Sequence, residues 1–100
     1  MTADGGDDVR EILDELRETD DGRIINVRAL SVPESEKFPE GIKYRFHYGT
    51  KAGETVLRYD NSHGVHERHT RETLDEIEYP GLATLYRRFR DEVEGADTHD

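Results

Sequence analysis

Apolar residues at the start of the chain recur with a helical period. Val9, Ile12, Leu13 and Leu16 fall at i, i+3, i+4 and i+7, which predicts an amphipathic helix capped by Asp8 and Glu11 and stopped by Asp20-Asp21-Gly22. The period then changes. Residues 23–32 alternate, with Ile25, Val27 and Ala29 on one parity and Asn26 and Arg28 on the other, and Pro33 closes that strand. After a polar loop over 33–41, residues 42–48 follow a strict period of two: Ile42, Tyr44, Phe46 and Tyr48 alternate with Lys43, Arg45 and His47. Gly49 to Gly53 supplies hairpin-loop chemistry, residues 55–60 form the return strand, and Asn61 to Gly64 breaks it. Residues 65–73 read as a fourth strand or an ordered loop, and residues 74–78 as a helical turn. Beyond Pro80, Leu82, Leu85, Tyr86, Phe89 and Val93 have helical spacing up to Gly95. The expected fold is α+β, a two-layer antiparallel β-meander of three to four strands with N- and C-terminal helices packed on one face. One domain is expected over 1–100, with residues 1–6 and 96–100 as disordered tails.

The hairpin pattern also predicts a register. A slip of one residue exchanges the two faces of a strand, so the paired positions must sum to an odd number, of the order of 101 or 103, to keep charge off the aromatic stripe. Tyr44, Phe46 and Tyr48 then share the helix-covered face with Thr55, Leu57 and Tyr59. Arg45, His47, Arg58 and Asp60 share the other face, and Arg28 joins them from the preceding strand.

Charge sharpens that division. Across 100 residues, 24 Asp and Glu outnumber 14 Lys and Arg, for a net charge of −10, which argues against phosphate binding if it describes every face. It does not. Residues 42–71 hold six Lys and Arg against three Asp and Glu, a local charge of +3, so the other seventy residues carry −13. Four of the five histidines, His47, His63, His66 and His69, lie in the same window. The cations are 3 Lys and 11 Arg, and this lysine-poor, carboxylate-rich composition is similar to that of salt-adapted proteins. It implies a haloarchaeal source and salt-dependent folding, because a short Debye length screens carboxylate repulsion.

With no cysteine, disulfides and Cys-ligated metals are excluded. The N-terminus lacks a basic and apolar leader pattern and no apolar run is long enough to span a bilayer, so a cytoplasmic protein without membrane contact is expected. Three readings of His63, His66 and His69 stand open: ligands of a transition metal, at a spacing that matches no common site; acid–base groups acting beside Arg45 or Arg58; or polar residues of a surface loop. Asp60 and Asn61 either orient a histidine and a cation or form an Asx turn. No phosphate loop, nucleophile elbow or catalytic carboxylate pair is present.

At Tyr44-Arg45-Phe46-His47-Tyr48, followed by Leu57-Arg58-Tyr59-Asp60-Asn61 and His63, the chain resembles the TumE family of small toxins from type II toxin–antitoxin modules. The resemblance covers about residues 23–71 and is carried chiefly by Arg58-Tyr59-Asp60-Asn61, with Ser62 and Gly64 departing from the family's usual continuation. It implies a growth-inhibiting protein neutralised by a cognate antitoxin, a helix-turn-helix DNA-binding protein encoded beside it. The expected activity is metal-independent ribonuclease chemistry, with His47, Arg58, Asp60 and His63 catalytic and Arg45, Asn61, His66 and His69 binding substrate. No metal or cofactor is assigned. RNA and a second copy of the chain are the further expected partners. The competing reading is a non-catalytic module whose basic, His-rich face docks a protein or nucleic acid.

Overall fold

The structure, a computed structural model, describes residues 9–98. Six strands, β1 (Arg10–Glu18), β2 (Arg23–Ser31), β3 (Ile42–Thr50), β4 (Thr55–Asp60), β5 (Glu67–Thr70) and β6 (Leu74–Glu76), form one antiparallel sheet in chain order, followed by a single helix, α1 (Leu82–Thr98). The α+β class and the two layers stand, but the first element is a strand, there is no N-terminal helix among the described residues, and the strand count is six rather than three to four.

The segment read as a helix pairs with β2 over nearly its whole length, from Arg10↔Ser31 to Glu18↔Ile24. A bulge between Glu11 and Leu13 inserts Ile12 and breaks the alternation, so the apolar spacing mimics 3.6 residues per turn. Asp20-Asp21-Gly22 is the hairpin turn that joins the two strands. Gly22 takes φ 85° there, a left-handed conformation that favours glycine, and its N–H donates to the Thr19 carbonyl at 3.0 Å. Leu13 packs at the edge of the core, whereas Leu16 is 73% exposed.

Residues read as a helical turn after 73 also form a strand. Thr70 Oγ1 accepts from the backbone N–H of Thr73 at 3.0 Å, and this side-chain bond closes the tight β5–β6 turn. The helix matches the sequence stripe: Leu85, Phe89 and Val93 are buried. It continues through Gly95 to Thr98 instead of ending before it, since Gly95 keeps a negative φ and costs helix propensity without reversing the chain. The expected N-terminal tail lies outside the described residues.

The core lies between α1 and one face of the sheet. Ile25, Val27 and Ala29 of β2, Tyr44, Phe46 and Tyr48 of β3, and Leu57 and Tyr59 of β4 meet Leu85, Phe89 and Val93 there. Phe89 contacts Phe46 and Tyr59 with ring centroids 5.6 and 5.9 Å apart. Arg68 and the Tyr59 hydroxyl both reach Glu92 of α1, tying β4 and β5 to the helix.

The register has the expected parity. Arg45↔Asp60, Phe46↔Tyr59, His47↔Arg58 and Tyr48↔Leu57 all sum to 105. At Gly49↔Thr55 the ladder shifts, leaving Val56 unpaired. This bulge moves Thr55 from the helix-covered face, where alternation placed it, to the open face, while Val56 packs against the core.

Candidate functional site on the open sheet face

The face without the helix carries two parallel rows of side chains. One runs Asn26–His47–Arg58–His69 across β2 to β5, and the next runs Arg28–Arg45–Asp60–Glu67, each residue directly opposite its neighbours in the ladder. This is the consequence of odd-sum pairing: once Tyr44, Phe46 and Tyr59 go to the core, the intervening polar residues must converge on the other side.

His47 is held at one ring nitrogen. Its Nε2 lies 2.9 Å from Thr55 Oγ1, and its Nδ1 makes no hydrogen bond among the described residues. Burial, and then the nearby Arg45 and Arg58, hold its pKa below the ordinary 6.5, so the ring is neutral at pH 7. Gly49 makes room for it. A Cβ at Gly49 would overlap the Glu54 carbonyl oxygen and lie 2.7 Å from His47 Cε1. Gly49→Ala is therefore expected to cost about 1–3 kcal/mol and lower the melting temperature by roughly 5–20 °C. Calorimetry checks this, and an unchanged transition would show that the hairpin absorbs the methyl group.

Arg58 occupies the middle of the row. Its Nε lies 2.7 Å from Asp60 Oδ2, an ion pair whose geometry is off the N–H direction, so that Nε–H makes no hydrogen bond among the described residues. Its Nη2 is 3.2 Å from both ring nitrogens of His69. His69 Nε2 is in turn 3.2 Å from Glu67 Oε1. Asp60 is buried, and its Oδ1 accepts weakly from the Ser62 N–H at 3.4 Å. A groove of about 660 Å³ runs alongside, lined by Asn26, Arg28, Lys43, Arg45 and Ser62 among others.

Of the remaining sequence candidates, Asn61 and His66 are engaged away from this face and His63 lies at its margin. Asn61 is buried with both ends of its amide engaged by β3: Oδ1 accepts from the Tyr44 N–H at 2.9 Å and Nδ2 donates to the Ile42 carbonyl at 2.7 Å. His66 lies on the helix side of the sheet. It is stacked against Tyr79 and Tyr44, with its Nδ1 2.9 Å from the Tyr44 hydroxyl and its Nε2 3.2 Å from Glu40. His63 is exposed beyond β4, with its Nδ1 3.6 Å from Glu67 Oε1. The structure thus brings His47, Arg58, Asp60, Arg45 and His69 together and separates His66 from them. Thr55 and Glu67 are additions. Glu67 is two residues before His69 and shares its face only because 67–70 is a strand; Thr55 arrives through a bulge that alternation conceals.

A one-layer antiparallel sheet backed by a single helix, with imidazoles, guanidinium groups and carboxylates in rows on its uncovered face, defines a small α+β protein. The chain belongs to the TumE toxin family: the family model described as Toxin TumE matches residues 5–96. A toxin of this kind implies an antitoxin partner. No curated protein and no solved structure matches the chain. Among the described residues no helix is long and apolar enough to cross a membrane.

Proposed function

We propose that this toxin cleaves RNA by metal-independent transphosphorylation on the open sheet face, with His47 and His69 as the acid–base pair and Arg58 between them. The observation that carries the reading is the cross-strand row His47–Arg58–His69. Two inter-strand spacings separate the histidines, about 10 Å between backbones, which leaves room for a phosphodiester seated on Arg58. His47 Nδ1, neutral at pH 7, takes the proton of a 2′-hydroxyl. The 2′-oxygen attacks phosphorus, and Arg58 balances the charge that builds on the non-bridging oxygens. His69, oriented by Glu67, is placed to pass a proton to the departing 5′-oxygen, and the products are a 2′,3′-cyclic phosphate and a free 5′-hydroxyl. Asp60 holds Arg58. Arg28, Lys43 and Arg45 line the groove through which the strand would run. His63 and Asn61 leave the chemical step in this reading, the first because it is exposed and the second because its amide is engaged by backbone.

The cognate antitoxin, a helix-turn-helix protein in the expected module, would neutralise the toxin by covering this face. The salt-adapted composition sets the assay conditions. Purified protein incubated with total RNA in molar KCl is expected to cleave it equally well with and without EDTA, leaving ends that carry cyclic phosphate. Cleavage lost on chelation would overturn the acid–base assignment. No cleavage of any RNA would leave the face as a docking surface without turnover.

A further inference from the structure

Downstream of Arg58 the open face changes sign. Asp60 of β4, Glu67 of β5 and Glu76 of β6 are directly opposite one another in the ladder, three carboxylates on adjacent strands. Like charges in directly opposed positions destabilise a sheet unless a cation sits among them. Arg58 pairs with Asp60 and Arg45 faces it, but the groups closest to Glu67 Oε1 are the imidazoles of His69 at 3.2 Å and His63 at 3.6 Å. Asp60, Glu67 and His69 each offer one ligand atom within 4.8 Å of the others, and none of the three residues is exposed.

We propose that Asp60, Glu67 and His69, with His63 as a fourth donor, form a binding site for a first-row divalent transition metal ion, zinc foremost. Two carboxylate oxygens and one or two imidazole nitrogens suit zinc, which ranks high in affinity for such donors, better than magnesium or calcium, which prefer oxygen alone. Metal–ligand bonds of about 2.0–2.2 Å place donors roughly 3–4.4 Å apart, so the observed cluster closes onto an ion with small side-chain rotations. The exposed His63 lies at the open side, where it can fold over the ion. Bound metal repels the Arg58 guanidinium from Asp60 and occupies the nitrogen of His69. On the reading of the reaction given above, zinc is therefore an inhibitor and not a cofactor.

Binding and inhibition are tested separately. Isothermal titration of the folded protein with zinc chloride in molar KCl is expected to give one saturable site per chain. His69→Ala and Glu67→Gln should each weaken it at least about tenfold, while Glu72→Gln, an exposed carboxylate in the β5–β6 turn, leaves it unchanged, and magnesium gives no saturable site. Circular dichroism confirms that the variants are folded. No saturable zinc binding, or binding equally tight in both ligand variants, overturns the site. RNA cleavage that persists in saturating zinc overturns only its inhibitory role. A protein that binds zinc but cleaves no RNA refutes the reaction and leaves the metal site standing.

Discussion

Asn61→Ala should destabilise the protein by about 2–5 kcal/mol, measured by denaturant unfolding in molar KCl, more than any other polar substitution on the sheet. Strand β4 ends at Asp60, yet β3 continues to Ile42, so the Tyr44 N–H and Ile42 carbonyl have lost their ladder partners. The Asn61 side chain replaces that missing strand, accepting at 2.9 Å and donating at 2.7 Å. Truncation leaves one buried and one half-buried backbone group unpaired, each costing about 1–3 kcal/mol. Asn61→Asp separates the two bonds. The carboxylate still accepts from Tyr44 but meets the Ile42 carbonyl with a second acceptor, so it should be no more stable than the alanine variant. If Asn61→Ala unfolds like the parent, the amide does not support the ladder and is free for substrate.

If the proposed reaction holds, replacing either histidine of the row lowers RNA cleavage by about 10²–10⁴-fold without loss of the folded transition. The two variants should differ in their pH profiles. His47 acts neutral, and its pKa lies below 6.5, so the rate of the parent falls on the acidic side only below that value. Arg45→Ala removes one of the cations that disfavour the protonated ring. The His47 pKa then rises, and the acidic limb moves to higher pH. His47→Ala removes that limb, whereas His69→Ala keeps it. His66→Gln, at a residue stacked on the opposite side of the sheet, should leave the acidic limb in place. A profile unaffected by Arg45→Ala would mean that His47 does not carry the titrating step.

How far these sites can be read from the chain depends on which residues stand next to each other in the ladder. Alternation in 42–48 and 55–60 was enough to separate Arg45, His47, Arg58 and Asp60 from the aromatic residues, because burying Tyr44, Phe46 and Tyr59 on one side forces their neighbours to the other. The Arg58-Tyr59-Asp60-Asn61 motif was enough for the family, which the match over residues 5–96 shows. The residues around it were harder. His69 is next to Arg58 only because β5 exists, and β5 is four residues long, too short for its period to be distinctive. His63, His66 and His69 look equivalent in the sequence, yet one is exposed, one is stacked in the helix-side layer, and one stands beside Arg58 on the open face.

Local pattern therefore determined the central hairpin, the two faces of its strands and the C-terminal helix, since each follows from a period that burial enforces within a few residues. Tertiary structure decided what bulges and pairing partners control. Ile12 shifts the first strand by one residue and makes it look helical; Val56 turns Thr55 toward His47; β5 brings His69 and Glu67 beside Arg58. A bulge changes which face a side chain occupies without changing the composition around it, and cross-strand neighbours are distant in sequence. Neither leaves a local signal. The net charge of −10 says little about the site for the same reason: the sheet sorts its charges by face and row, and only the ladder shows which of them meet.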